Sequence, residues 1–184
     1  MIHINGERVV IRELNKNDAW SLFRNAKNKE VARYITIPHP YKIQDAISFI
    51  KKSRQKPRKG LSYELGIELR LINQIIGIIS LMEIDYKNRN AEIGYWIGKE
   101  FWGQGLVREG IELMLQFGFN NLKLKRIWAK VVHPNKKSIT PLKKIGFKYE
   151  GRLRKNTFRN GGWMDDLRFA LLKEEWKKLN KKEV

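Results

Sequence analysis

The stretch that decides the fold of this chain reads Tyr95-Trp96-Ile97-Gly98-Lys99-Glu100-Phe101-Trp102-Gly103-Gln104-Gly105-Leu106-Val107. In the residues leading into it, Ala91, Ile93 and Tyr95 alternate with Glu92 and Gly94, and this two-residue period predicts a strand in a buried sheet. After the two glycines, apolar residues recur at three- and four-residue spacing, which predicts an amphipathic helix from about residue 106. The stretch therefore combines a strand, a glycine turn and the start of a helix.

The glycine turn is a candidate anion site. A turn of this kind at a helix start leaves backbone N–H groups without partners, and the helix dipole adds partial positive charge, so that a phosphate or pyrophosphate can bind there. The two glycines could equally form only a tight connection. No Lys-Ser or Lys-Thr follows them as in a P-loop, and no G-x-G-x-x-G is present. We therefore expect the anion to be the pyrophosphate of a pantetheine cofactor.

Length and composition bound the class of protein. A chain of 184 residues fits one domain and can bury a stable core without disulfides or structural metal ions. It contains no cysteine, which excludes disulfides, thiolate metal sites and a cysteine nucleophile. The N-terminus has no apolar signal core, and no run approaches the roughly 18–20 apolar residues of a membrane span. We expect a soluble, cytoplasmic protein without membrane contact.

The net charge of +19 predicts a polyanionic ligand or neighbour. Residues 51–60 hold six basic residues, and residues 121–160 hold thirteen against the single acid Glu150. Such clusters could contact RNA or a ribosome surface, or bind a phosphate-rich cofactor. Many of these side chains could also be solvated faces only, since no recognised RNA-binding motif accompanies them.

Periodicity along the chain predicts about seven strands and about four helices. The strands are expected at 7–13, 61–71, 74–84, 91–97, 125–133, 147–152 and 163–172, and the helices from residue 15 or 17 to 26, at 44–52, from 106 to about 120, and at 138–145, before a charged helical tail at 173–184. No linker or internal repeat divides the chain. The mixed order predicts a single α/β (α+β) domain on a mostly antiparallel sheet, with its core at about 7–172.

Four blocks of sequence resemble a known superfamily. They stand at 91–97, 102–107, 135–138 and 144–147, in the order and spacing of the GNAT acetyltransferases, and most closely those of the RimJ/RimL branch, which acetylates protein N-termini. The resemblance extends over about residues 7–172. It implies a GNAT fold and acetyl-CoA as the cofactor.

The same resemblance implies which residues hold the cofactor. Pantetheine would pair with the strand edge at Tyr95 and Ile97. The pyrophosphate and the rest of the cofactor would contact Gly103, Gln104, Gly105, Leu106, Val107, Asn135 and Ser138. Four positions depart from the superfamily pattern: Trp102, where an Arg or Gln is common, Val107, where Gly or Ala is usual, and Pro141 and Lys143 after the serine.

In this family the amine attacks the thioester directly, which agrees with the absence of cysteine. The reaction then needs a neutral amine, stabilisation of the developing oxyanion and a proton for the departing thiolate. A protein α-amine has a pKa of about 7.7–8.0 against about 10.4 for lysine, so a weak base suffices for it. Glu92 is the first candidate for this base, acting through water, and Glu83 is the second. Either carboxylate could instead be solvated or ion-paired.

Ser138 resembles the residue that protonates the thiolate, and backbone amides near Ile97 would stabilise the oxyanion. Asn135 and Ser138 could instead only cap a helix after Pro134. Tyr34 and Tyr41 are candidates for substrate contact, unless they cover the core. No histidine has a partner at metal-ligand spacing, so we expect no metal site.

These residues predict an N-acetyltransferase whose acceptor is the N-terminal α-amine of a protein, of the ribosomal-protein type. One alternative acceptor is a small amine of the polyamine or aminoglycoside type, which the positive charge disfavours. A second alternative is a non-enzymatic module that associates with RNA or the ribosome. The sequence leaves open whether the protein is a monomer or a homodimer.

Overall fold

The computed structural model describes residues 2–55, 62–159 and 161–180. The strands are β1 (His3–Asn5), β2 (Val9–Arg12), β3 (Tyr63–Leu69), β4 (Gln74–Asp85), β5 (Asn90–Ile97), β6 (Arg126–Val132), β7 (Lys148–Arg159) and β8 (Gly162–Leu172). The α-helices are α1 (Ala19–Ala26), α2 (Lys29–Ala32), α3 (Ile43–Ser53), α4 (Leu106–Gln116), α5 (Lys136–Ile145) and α6 (Lys173–Asn180).

The eight strands form one sheet in the order β1-β2-β3-β4-β5-β6-β8-β7. All neighbouring pairs are antiparallel except β5 and β6, which are parallel. The predicted single α/β domain on a mostly antiparallel sheet is confirmed. Within the described residues, β1 and α2 are one strand and one helix more than expected, and the predicted helical tail forms α6.

Each face of the sheet carries its own apolar cluster. On one face, Ile93 and Ile97 of β5 pack with Ile111 and Met114 of α4. On the opposite face, Ile78, Leu22 and Ile50 from β4, α1 and α3 form a second cluster, against which Trp96 packs. Because successive side chains of a strand point to opposite faces, the alternation in β5 fixes both clusters. The sheet thus lies between α4 and α5 on one side and α1 and α3 on the other.

The one parallel pair separates before β5 ends. Its register covers only residues 90–92 of β5 against 126–128 of β6. β6 stays paired with β8 as far as Val132, while β5 stays paired with β4 as far as Ile97. A gap therefore opens through the middle of the sheet beyond Glu92.

The differences from the predicted elements concern short or terminal segments. The three residues of β1 and the four of α2 are too few to show a period. The charged tail is a helix as far as Asn180, and Trp176 holds it on the core beside Phe119, with ring centroids 5.4 Å apart. Residues 56–60 of the basic cluster at 51–60, and Asn160, lie outside the described residues. No helix in the described part of the chain is long and apolar enough to cross a membrane.

Candidate active site

A cleft of about 880 Å³ lies at the gap between β5 and β6. Three segments line one side of it: the end of β5, the glycine turn and the first turns of α5. On the other side it reaches α2 and the segment with Tyr34 and Ile35. The cleft therefore connects the two faces of the sheet. Of the predicted cofactor residues, it brings together Tyr95, Ile97, Gly103, Gly105, Leu106, Val107, Asn135 and Ser138.

The glycine turn presents unpaired amides to this cleft. Gly103 and Gly105 both have φ of 77°, a left-handed conformation that suits glycine, and α4 begins directly afterwards. Within the described residues, no acceptor lies within hydrogen-bonding reach of the backbone N–H groups from Gly105 to Arg108. These donors and the helix dipole form a site that suits a diphosphate. Val107 is half-buried, packs against the core and still lines the cleft.

Basic side chains predominate around the cleft. Its cationic lining consists of Arg33, Arg108, Lys136, Lys137 and Lys144. The ammonium of Lys137 lies 3.8 Å from the ring centroid of Trp102. Among the described lining residues, Glu30 is the one acid, and it is ion-paired with Lys99, which lowers its pKa. The cleft is therefore electropositive and suits a polyphosphate.

The free edge of β5 offers backbone groups to the gap. The N–H of Gly98 donates to the carbonyl of Ile76 on β4 at 2.8 Å. Because backbone groups alternate in direction along an antiparallel strand, those of Tyr95 and Ile97 face the gap instead. The indole Nε1 of Trp102 donates to the carbonyl of Ile97 at 2.9 Å. Within the described residues, the N–H of Ile97 and the carbonyl of Tyr95 have no partner and are available to a ligand. Trp102 has a structural role that the sequence did not show.

Ser138 is held by Asn135 and Tyr95. The side-chain amide of Asn135 donates to Ser138 Oγ at 3.0 Å, while its carbonyl oxygen accepts from the backbone N–H of Ser138 at 3.3 Å. The hydroxyl of Tyr95 donates to the carbonyl of Ser138 at 2.6 Å, and burial raises the pKa of Tyr95 well above its usual value, so this donor stays protonated. Asn135 is the helix cap and Ser138 lies in the first turn. Since Ser138 Oγ accepts from Asn135, its own proton is free to be donated elsewhere.

Glu92 occupies the point where β5 and β6 separate. Its side chain is on the face opposite α4, and the residue is only 7% exposed. No described residue forms a hydrogen bond or an ion pair with it. Burial raises the pKa of Glu92, with smaller effects from the charges of Lys130, which lowers it, and Glu83, which raises it. Glu83 itself is exposed in the irregular part of β4, with φ of 48°.

The two tyrosines proposed for the substrate lie in different places. Tyr34 lines the cleft. Tyr41 does not: it is 8% exposed and belongs to the second apolar cluster, where burial raises its pKa to about 12. The assignment of Tyr41 to the substrate is thus corrected by its place in the core. An apolar loop sequence does not show which of two tyrosines turns inward.

Two further polar residues, one on β8 and one on β7, were not predicted. Asp166 of β8 is fully buried and accepts hydrogen bonds from Asn156 at 2.6 Å and from Thr157 at 2.8 Å. Arg159 of β7 donates to Thr36 at 2.8 Å and so ties the end of this strand to the segment after Tyr34. Neither residue belongs to a motif, and both contacts depend on the bulged pairing of β7 with β8.

Comparison with known proteins supports the assignment of this chain to a protein family. A family model described as "Acetyltransferase (GNAT) domain" matches residues 8–148. "Putative ribosomal N-acetyltransferase YdaF" of Bacillus subtilis is 39% identical over 113 residues, which cover 60% of this chain and 62% of that protein. Spermidine N(1)-acetyltransferase of Escherichia coli is 31% identical over 100 residues, or 54% of each chain. The solved structure of Mycobacterium smegmatis RimJ in complex with CoA-disulfide has a TM-score of 0.86 at 25% identity and covers 95% of this chain and 88% of that one.

Proposed function

Since the chain belongs to the GNAT family of acetyltransferases and is therefore an acyltransferase that uses acetyl-CoA, we propose that its acceptor is the N-terminal α-amine of a protein, of the ribosomal-protein type. The observation that carries this choice is the charge of the cleft. Its basic lining has one described acid, Glu30, which Lys99 already neutralises. A polyamine would bring further ammonium groups into this surface, whereas a peptide brings one amine and a neutral backbone.

The residues present fit the cofactor. The unpaired amides from Gly105 to Arg108 would hold its diphosphate, and the basic side chains around them would compensate the remaining charge. The backbone of Tyr95 and Ile97 would pair with its pantetheine arm. When bound, acetyl-CoA supplies a thioester whose carbonyl carbon the acceptor amine attacks. The N–H of Ile97 would donate to the oxygen of that carbonyl.

Glu92 would accept the proton of the amine through a bridging water. Its carboxylate has no described partner to compete for that proton, and burial raises its pKa toward the working pH of a general base. An α-amine with a pKa of about 7.7–8.0 needs only such a weak base. Glu83 stays the second candidate, because its side chain is exposed and close enough to influence the charge on Glu92.

Ser138 would give its proton to the departing thiolate. Asn135 donates to Ser138 Oγ, so the serine acts as donor toward the cleft, and Tyr95 fixes the backbone that carries it. The same contacts leave Ser138 without a capping role of its own, since Asn135 caps α5. The acceptor and the leaving group would then be served by residues on opposite sides of the gap.

Tyr34 would contact the first residues of the acceptor peptide. It lines the cleft with Val31, Ile35 and Trp96, an apolar end that suits an N-terminal side chain. The net charge of +19 favours a location close to the ribosome in the cytoplasm, because ribosomal RNA is anionic. The protein would act there as a monomer or a homodimer.

The test is incubation of the protein with radiolabelled acetyl-CoA and a panel that contains peptides with different N-terminal residues, spermidine and an aminoglycoside. We expect label on the N-terminal nitrogen of a subset of peptides, located by mass spectrometry. Label on spermidine or the aminoglycoside without a peptide product would overturn the proposed acceptor and favour the small-amine alternative. Failure to bind CoA together with salt-sensitive RNA binding would instead favour the non-enzymatic module.

A further inference from the structure

Arg8, which directly precedes β2, reaches the glycine turn although the two are almost a hundred residues apart in sequence. Its Nη1 donates to the carbonyl of Gln104 at 2.9 Å, and its Nε donates to Glu109 Oε2 at 3.1 Å. The other oxygen of Glu109 accepts from the backbone N–H of Arg8 at 2.8 Å and from that of Val9 at 3.1 Å. Arg8 thus joins the start of β2, the glycine turn and the first turn of α4.

The bond to Gln104 fixes the direction of a neighbouring amide. In a trans peptide the C=O and the N–H point in opposite directions. Because Arg8 holds the carbonyl of Gln104 on one side, the N–H of Gly105 points to the other side, and Gly105 lines the cleft. A Cβ on Gly105 would lie 3.4 Å from Arg8 Nη2, so the guanidinium is packed directly against this turn.

The turn needs such a restraint. Gln104 is flanked by Gly103 and Gly105, both at φ of 77°, and glycine is the residue that rotates most freely. Within the described chain, the turn's other side-chain contact is local, from Gln104 Nε2 to the carbonyl of Glu100 at 2.9 Å. Glu109 would also place a negative charge beside any bound anion, and its ion pair with Arg8 neutralises that charge.

We propose that Arg8 is a positioning residue for the diphosphate of coenzyme A. It keeps the Gly105 amide turned toward the cofactor and compensates Glu109, without touching the acetyl group or the acceptor. The effect should therefore fall on the diphosphate half of the cofactor and spare the pantetheine half.

The test compares R8Q with R8K and with the control R126Q. Arg126 makes a bidentate pair with Glu150 and does not line the cleft, so R126Q removes the same charge from another carboxylate pair. Isothermal titration calorimetry with CoA and with pantetheine, which lacks the diphosphate, measures the two halves of the site separately. We expect R8Q to weaken CoA binding about tenfold, the size of a lost charge-assisted hydrogen bond. Pantetheine binding should change less than about twofold, and R126Q should bind both ligands like the wild type.

R8K separates position from charge, since one ammonium cannot reproduce the fork that contacts both Gln104 and Glu109. We expect R8K to bind CoA more weakly than the wild type. If R8Q does not fold, the CoA and pantetheine affinities of R8K test the proposal. Unchanged CoA binding in R8Q or R8K, equal losses for CoA and pantetheine, or an equal loss in R126Q would each overturn the proposal. None of these measurements requires the acceptor to be known.

Discussion

Asn135 determines the direction in which Ser138 can give its proton. The amide of Asn135 is a donor to Ser138 Oγ, so the serine hydroxyl is left to donate into the cleft. Aspartate caps a helix as well as asparagine does, but its carboxylate only accepts hydrogen bonds. The substitution Asn135→Asp would therefore keep the cap and draw the serine proton toward the carboxylate.

We expect N135D to lower kcat at least about tenfold, within the range that general acid catalysis contributes. The melting temperature and the helix content by circular dichroism should stay at the wild-type values. S138A should lower kcat at all pH values and serves as the reference. A wild-type rate in N135D would show that Ser138 does not deliver a proton.

The pH dependence of E92Q tests the general base. Below about pH 7 an α-amine is mostly protonated, and a base is needed to take its proton. We expect the loss in kcat/KM of E92Q to be largest, about tenfold, between the raised pKa of Glu92 and about pH 7, and to shrink to a few-fold at about pH 8.5. E83Q is the matched control on the exposed carboxylate. A larger loss of kcat/KM in E83Q than in E92Q would make Glu83 the general base instead of Glu92.

The same substitution should stabilise the fold. Burial raises the pKa of Glu92 above its ordinary value of 4.5, so the folded protein favours the protonated form. This contribution to stability is fully present below the unfolded pKa and is lost as the pH rises through the folded pKa. At neutral pH, E92Q should raise the melting temperature, by roughly 2–4 °C for each kcal/mol gained. This gain in melting temperature should vanish near pH 4. A lower melting temperature of E92Q than of the wild type at neutral pH would show that the buried charge of Glu92 does not destabilise the fold.

At the level of elements, the end of α5 depends on its contact with α6. Gly146 caps α5 with φ of 103°, and a Cβ there would lie 2.5 Å from Leu179 Cδ1. We expect G146A to destabilise the fold through backbone strain of about 1–2 kcal/mol, with a smaller effect from Leu179, whose exposed and flexible side chain has to move. Gly161 also has a positive φ, 76°, but a Cβ there meets nothing within 4 Å. G161A should show the backbone strain alone. Equal losses of unfolding free energy in G146A and G161A, measured by denaturant unfolding, would show that the contact with Leu179 costs nothing.

Most elements could be predicted because their periods are long and regular. The buried run of β4 and the apolar face of α4 are both of this kind. β1 and α2 could not, since three and four residues carry no period. The length of β7 was also missed, because its exposed residues alternate weakly around two bulges. Pairing with β8, rather than the sequence of β7 itself, holds that strand.

The whole molecule carries an excess of positive charge that should act on the cofactor. The net charge is +19, and five basic residues line the cleft. Salt screens such charges over a Debye length of about 10 Å at 0.1 M. We expect the Kd for CoA to rise several-fold between about 50 and 500 mM NaCl, because the long-range attraction is screened. The Kd for pantetheine should change little, and equal sensitivity of both ligands in the same calorimetric series would argue against an electrostatic contribution.

The parts of the site that the sequence indicated are local, whereas the contacts of Arg8 and the burial of Tyr41, which it missed, depend on tertiary packing. The turn from Gly103 to Gly105 and the pair Asn135 and Ser138 each lie within a few residues. The glycine pattern indicated the turn, and the resemblance to the GNAT family indicated the pair. Arg8 meets Gln104 only when β2 packs beside α4, and no spacing rule covers that distance. The inward turn of Tyr41 likewise depends on how α1 packs on α3.

The gap between β5 and β6 gives the cleft one mouth on each face of the sheet. If the acceptor is a peptide, as proposed, we expect the peptide and CoA to bind together without sharing a surface, so that neither has to leave before the other enters. A covalent conjugate that joins the sulfur of CoA to the N-terminal nitrogen of an acceptor peptide would pass through the sheet and occupy both mouths. Because joining the two halves raises the effective concentration of each, such a conjugate should bind far more tightly than CoA or the peptide alone.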